Sequence, residues 1–93
     1  MKPQKTSEII ISSKRNDTLF EKISRILKDE FKVSFTQKID GINQKYWDFK
    51  IDNFQLTLHS EHYLGISIFG PESKEVDEIL SQIKNKLNSL LSY

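Results

Sequence analysis

The strongest constraint on the fold is an alternation of apolar and polar residues on both sides of the dipeptide Asp52-Asn53. The apolar positions are Trp47, Phe49 and Ile51 before it and Phe54, Leu56 and Leu58 after it. A period of two is typical of strands with one buried face. Asp and Asn both tolerate positive φ, so we expect a two-residue hairpin turn that pairs these apolar residues on one face of a sheet.

Three further segments favour strands. Residues 8–12 are rich in isoleucine, and residues 33–39 and 64–69 alternate apolar with polar positions. We expect the last two segments to direct these side chains inward: Val33, Phe35 and Ile39, and Leu64, Ile66 and Ile68.

Two segments change to the helical period of three and four residues. The first carries Leu19, Phe20, Ile23, Ile26, Leu27 and Phe31, and the second carries Val76, Ile79, Leu80, Ile83, Leu87, Leu90 and Leu91. Thr18 to Glu21 matches a capping box, which predicts that the first helix begins there. Pro71 is expected in the first turn of the second helix, where its missing N–H is harmless.

These elements predict an α+β fold in the order β-α-β-β-β-β-α. The sheet is expected to be antiparallel, with four or five strands, and both helices are expected on one of its faces. A chain of 93 residues fits one domain, so we assign residues 1–93 to it and expect a flexible terminus over residues 1–7.

Composition excludes several classes of site. The chain has no cysteine, which rules out disulfides, thiolate metal ligands and cysteine nucleophiles. Its start, from Met1 to Glu8, has no apolar core of the kind that signal peptides need, and no segment approaches the roughly 20 apolar residues that span a bilayer. We therefore expect a cytoplasmic protein that has no membrane partner.

The face of the sheet away from the helices is the candidate binding surface. We expect it to display Ser34, Thr36, Tyr46, Asp48, Lys50, Gln55, Thr57, His59, Tyr63 and Ser67. A loop at residues 60–62 would pair His59 with Tyr63 and Leu58 with Leu64. Tyr46, His59 and Tyr63 would then form a row across three strands, beside Asp48 and Thr57. Such a row is either a protein-binding hot spot or cross-strand packing that stiffens the sheet.

Alternative chemistries have weaker support. His59, Glu61 and His62 supply metal-ligand types, but no fourth ligand is identifiable, so we predict no metal or cofactor. Ser60 beside histidine supplies the residue types of a hydrolase without a nucleophile elbow, so we predict no catalytic residues and no enzyme. A formal net charge of +1 and isolated glycines argue against nucleic acids and nucleotides.

In size, element order and lack of catalytic motifs, the chain resembles the small α+β immunity proteins that neutralise bacterial toxins, and it also resembles uncharacterised bacterial families of the same build. The resemblance is architectural, spans the whole chain and carries no family residues over. It implies a non-enzymatic protein-interaction module whose partner is a toxin. The alternative is a homodimer through the open sheet face that binds a small ligand or single-stranded nucleic acid.

Overall fold

The computed structural model describes residues 6–91, which form a five-stranded antiparallel sheet and two helices. The elements are β1 (Thr6–Ser12), α1 (Asp17–Phe31), β2 (Phe35–Asp40), β3 (Gln44–Ile51), β4 (Phe54–Glu61), β5 (Gly65–Pro71) and α2 (Lys74–Leu91). Across the sheet the strands follow the order β1-β5-β4-β3-β2, so β1 and β2 are the two edges. The predicted α+β class and element order are confirmed.

The hairpin of β3 and β4 has the register that the alternation predicts. Asp52 and Asn53 adopt φ values of 50° and 71°, as a tight hairpin turn with two left-handed residues requires. Ile51 pairs with Phe54, and the pairing continues without a shift to Gln44 opposite Glu61. The six alternating apolar residues therefore share one face, which we call the inner face.

The connection from β4 to β5 differs from the prediction. The loop spans residues 62–64 rather than 60–62, so Leu58 pairs with Ile68 and His59 pairs with Ser67. The physical reason is Gly65, which follows the loop with a φ of 86° and supplies the left-handed residue that three-residue hairpin loops use. Leu64 consequently lies in the loop and is 64% exposed, so its predicted inward position is wrong.

The edge strand β2 also departs from simple alternation. Its register shifts between Phe35 and Gln37, so that Gln37 pairs with Asp48 and Ile39 pairs with Tyr46. Ile39 therefore lies on the outer face with Tyr46, and the predicted inward position of Ile39 is wrong. Ser34 precedes the strand and Thr36 lies within the irregularity, so neither holds the open-face position expected for it. Such bulges are common at sheet edges, where they discourage pairing with other chains.

Both helices pack their apolar stripes against the inner face. A single cluster joins these stripes to the inner-face side chains: Leu19, Phe20, Ile23, Leu27, Val33, Trp47, Phe49, Leu56, Leu58, Ile66, Ile68, Val76, Ile79, Leu80, Ile83 and Leu87. Phe20 of α1 meets Trp47 of β3 edge to face, with ring centroids 4.9 Å apart. An ion pair of 3.5 Å between Lys86 and Glu30 joins the exposed sides of the helices. The outer face is left without a helical cover.

The helix starts differ from those predicted. Asn16, not Thr18, is the N-cap of α1, and its side chain accepts a hydrogen bond from the Leu19 N–H at 3.0 Å. Helix α2 begins at Lys74, after Ser73 accepts the Val76 N–H at 3.0 Å. Pro71 therefore ends β5 instead of entering the helix.

The N-terminal boundary also needs correction. Thr6 and Ser7 belong to β1, where they pair with Pro71 and Gly70, and Ser7 is buried. These two residues of the segment expected to be flexible are therefore part of the sheet. Residues 1–5, the rest of that expected segment, lie outside the described residues.

The cap of α1 gives a first test. Asn16→Ala should lower the free energy of unfolding by about 1 kcal/mol, because the Leu19 N–H loses its acceptor. Thr18→Ala, the matched control at the cap expected from the sequence, should change it by less than about 0.5 kcal/mol. Urea denaturation followed by circular dichroism measures both, and a larger loss for Thr18→Ala would contradict this capping geometry.

The backbone at Gly65 gives a second test. A Cβ added there would overlap the Ser12 carbonyl oxygen, in a backbone conformation that L-residues avoid. Gly65→Ala should therefore destabilise the protein by at least about 2 kcal/mol, since the left-handed cost alone is about 1–2 kcal/mol. Gly41→Ala is the control, because its Cβ would lie 3.2 Å from the Gln44 oxygen. Equal midpoints of urea unfolding for the two variants would show that the close approach to β1 is not rigid.

Candidate functional site

The outer face carries a continuous row of side chains, one from each strand. Pairing places Ile39 beside Tyr46, Tyr46 beside His59, His59 beside Ser67 and Ser67 beside Ile10. The row crosses the whole sheet at one level. Its two ends are apolar and exposed, with Ile39 at 51% and Ile10 at 68%.

Aromatic rings occupy the centre of this face. The rings of Tyr46 and His59 stack with centroids 4.6 Å apart and planes 19° apart, and Phe69 meets His59 edge to face at 5.9 Å. We call Tyr46, His59 and Phe69 the aromatic triplet. Stacked and edge-to-face aromatic pairs each contribute about 0.5–1.5 kcal/mol of stability beyond the area they bury, so these contacts hold the three rings in place.

His59 is the central member of the triplet, in contact with both of the other rings. Its side chain is 12% exposed, and its Nε2 atom is buried and has no hydrogen-bond partner among residues 6–91. A carboxylate oxygen of Glu61 lies 3.4 Å from Nε2, which makes an ion pair only when the imidazole is protonated. The contact itself lacks hydrogen-bond geometry.

Asp48 and Thr57 lie on the same face, but their side chains are hydrogen-bonded to each other. The Thr57 hydroxyl donates to Asp48 Oδ1 at 2.7 Å, and the Gln55 amide donates to Asp48 Oδ2 at 3.4 Å. The Thr36 hydroxyl donates to the Asp48 carbonyl oxygen at 3.3 Å. These bonds occupy the carboxylate within the sheet, so the pair supports the triplet from the side.

A groove of about 540 Å³ opens on the outer face over the triplet. Its lining combines the triplet with apolar, small and acidic residues: Glu8, Ile10, Tyr46, His59, Glu61, Leu64, Gly65, Ser67 and Phe69. Glu8 and Glu61 are the charged residues in this lining, and none of the described residues that line it is a lysine or an arginine. Among the described residues of the lining, the centre is therefore aromatic and the formal charge is negative.

Polar contacts hold two loops and the start of α1 together at one end of the sheet. The His62 N–H donates to the Asn43 carbonyl oxygen at 2.9 Å, which joins the two hairpin loops. Arg15 donates to the Ile42 carbonyl oxygen at 3.4 Å and to the Asp17 carboxylate at 3.3 Å. The hydrogen bond from Arg15 lowers the pKa of Asp17 below its ordinary value.

Exposed apolar side chains project from these joined loops. Ile42 is 89% exposed, Tyr63 is 85% exposed and Leu64 is 64% exposed. We call these residues the loop tips. Leu64 also lines the groove, so the loop tips and the groove form one continuous surface.

The structure brings together four of the five residues proposed from the sequence. Tyr46, Asp48, Thr57 and His59 share the outer face, whereas Tyr63 lies in the loop and packs edge to face on His62 at 4.5 Å. The expected pairing of Tyr63 with His59 is therefore wrong. Phe69 fills the third aromatic position. Because Phe69 is two residues after Ser67, the alternation along the strand could have identified it as an outer-face residue.

The other candidate groupings are not assembled. Ser60 points to the inner face and is 3% exposed, so the sheet separates its side chain from that of His59. Within residues 6–91, no group of three or more His, Asp or Glu side chains has the arrangement of a metal site. Neither of the two described helices is long and apolar enough to cross a membrane.

Comparison with known proteins gives no relative. No family model matches the chain, and no curated protein or solved structure is significantly similar to it.

The two tyrosines provide a test of this geometry. Tyr46→Ala should lower the free energy of unfolding by about 1–2 kcal/mol, because a half-buried ring and its stack on His59 are lost. Tyr63→Ala should change it by less than about 0.5 kcal/mol, since that ring is largely in solvent. Chemical denaturation of both variants measures these changes. Equal losses of unfolding free energy would favour the row predicted from the sequence, in which Tyr63 packs beside His59.

Proposed function

We propose that this protein is a non-enzymatic protein-interaction module that binds its partner through the outer face of the sheet. The observation that carries the proposal is the continuity of the aromatic groove with the exposed loop tips. Protein interfaces have a buried core enriched in aromatic residues, surrounded by a polar rim. The triplet supplies such a core, and the loop tips add apolar area that a monomer leaves in water.

The charge of this face favours a protein over a nucleic acid. Glu8 and Glu61 line the groove, and Asp48 lies beside the triplet, whereas Lys50 is the basic residue on this face of β3. Phosphates are bound through lysine and arginine, and carboxylates repel them. The aromatic rings are therefore better suited to side chains of a protein than to stacked bases.

Toxin neutralisation is the most specific form of the proposal. The size and element order support it through the resemblance to small α+β immunity proteins, which neutralise toxins without catalytic motifs of their own. The formal net charge of +1 suits a toxin whose active site is not strongly basic, and Glu61 in the groove would suit a basic side chain on its surface. In this form, the protein acts in the cytoplasm of a bacterial cell.

Affinity capture with matched variants tests the proposal. The tagged full chain is used to capture partners from lysate of its native cell. The loop-tip variant replaces Tyr63 and Leu64 with serine. It should reduce the amount of recovered partner at least about tenfold, equivalent to about 1.4 kcal/mol of binding free energy. Leu90→Ser is the control, because Leu90 is an exposed leucine on α2, at 49%, away from the groove.

The outcomes separate the alternatives. A partner lost only by the loop-tip variant supports the outer face, and inhibition of that partner's toxicity by the purified chain supports the immunity form. A partner that both variants retain contradicts the outer face as the binding surface. Recovery of only a second copy of the chain, lost with the loop-tip variant, replaces the partner with a homodimer.

A further inference from the structure

The groove has a composition that selects among protein side chains. Its aromatic triplet gives an apolar, polarisable centre, and its charged lining residues, Glu8 and Glu61, are both acidic. A buried carboxylate partner would be repelled by Glu61, and an aliphatic partner would leave the Glu61 carboxylate facing an apolar surface. A cationic group that also tolerates contact with rings satisfies both features of the lining.

We propose that the groove binds an arginine side chain of the protein partner, with its guanidinium against the Glu61 carboxylate and in contact with the rings that line the groove. This inference rests on the proposed function and specifies the chemistry of the partner. Arginine suits the site better than lysine because its planar guanidinium stacks on rings, is weakly hydrated and binds a carboxylate through two parallel hydrogen bonds.

Glu61 is well placed for this role. Its side chain is 31% exposed, so it is partly desolvated yet still accessible from the groove. Glu61 is the last residue of β4, and its pairing with Gln44 and Gly65 fixes its backbone from both sides. The nearby His59 Nε2, 3.4 Å away, offers the carboxylate no hydrogen bond in this geometry. A guanidinium would supply the charged donors that His59 does not.

The groove is also large enough for the rest of an arginine-bearing segment. Its volume of about 540 Å³ lies within the usual range of roughly 300–1,000 Å³ for ligand sites. Ile10 and Leu64 flank the acidic and aromatic residues and are 68% and 64% exposed. They can cover the aliphatic stem of the arginine while its head reaches Glu61, as such amphipathic side chains usually require.

Titration of the full chain with small probes tests the inference directly. The probe is N-acetyl-arginine methylamide, and the control probe is the citrulline analogue, which has the same shape without the charge. Amide and ring resonances of the aromatic triplet and Glu61 should shift with the arginine probe, with a dissociation constant on the order of millimolar. The citrulline probe should bind at least about tenfold more weakly.

A matched pair of variants locates the contact. Glu61→Gln keeps the size of the side chain but removes its charge, and it should weaken binding of the arginine probe about tenfold. Glu78→Gln removes an exposed carboxylate from α2 and should leave binding unchanged. Circular dichroism confirms that both variants fold. Equal binding of the two probes, or full binding by Glu61→Gln, would overturn the inference.

Partner capture separates this inference from the proposed function. If the loop-tip variant loses the partner but Glu61→Gln retains it fully, the outer face is the binding surface and the arginine inference is wrong. If both variants lose it while Glu78→Gln retains it, the inference is supported. If neither loses it, both the arginine inference and the outer face as a binding surface are wrong.

Discussion

The turn at Asp52 and Asn53 is the constraint on which the rest of the sheet depends. Two consecutive left-handed residues fix the register of β3 and β4, and the register decides which side chains reach the inner face. A slip of one residue would exchange Phe49 and Leu56 for polar neighbours and expose the apolar set. The same register places Tyr46 opposite His59, so the core and the candidate site are specified by one turn.

Local patterns predicted most of the fold. The element order, the β3–β4 register and the apolar stripes of both helices follow from periodicity, because burial on one side imposes a period that the sequence displays. The cap of α1 was misplaced by two residues because Asn16 and Thr18 both have side chains that accept from a helix N-terminus. Choosing between them depends on how the chain enters the helix from β1, which no local pattern records.

The candidate site was predicted only in part because its third strand depends on contacts distant in sequence. Gly65 adopts its left-handed conformation where the Ser12 carbonyl oxygen of β1 occupies the space that a Cβ atom would need. This close approach sets the loop at residues 62–64. Loop length alone allows either placement, since both loops have three residues and keep Ile66 and Ile68 on the inner face. The loop placement predicted from the sequence therefore makes Tyr63 the third ring, whereas Phe69 is the third ring in the structure.

The position of β1 in the sheet has a consequence for how the chain folds. Its partner is the last strand, with Ile9 opposite Ile68, whereas β2, β3, β4 and β5 are joined by short local turns. Closing such a long loop costs conformational entropy before any contact is gained, so β1 is expected to dock late. Until β5 has left the ribosome, the run Ile9-Ile10-Ile11 lacks its native strand partner and is a β-prone segment that can pair with other chains. The rate of synthesis of the last third of the chain therefore bears on how much protein reaches the native state.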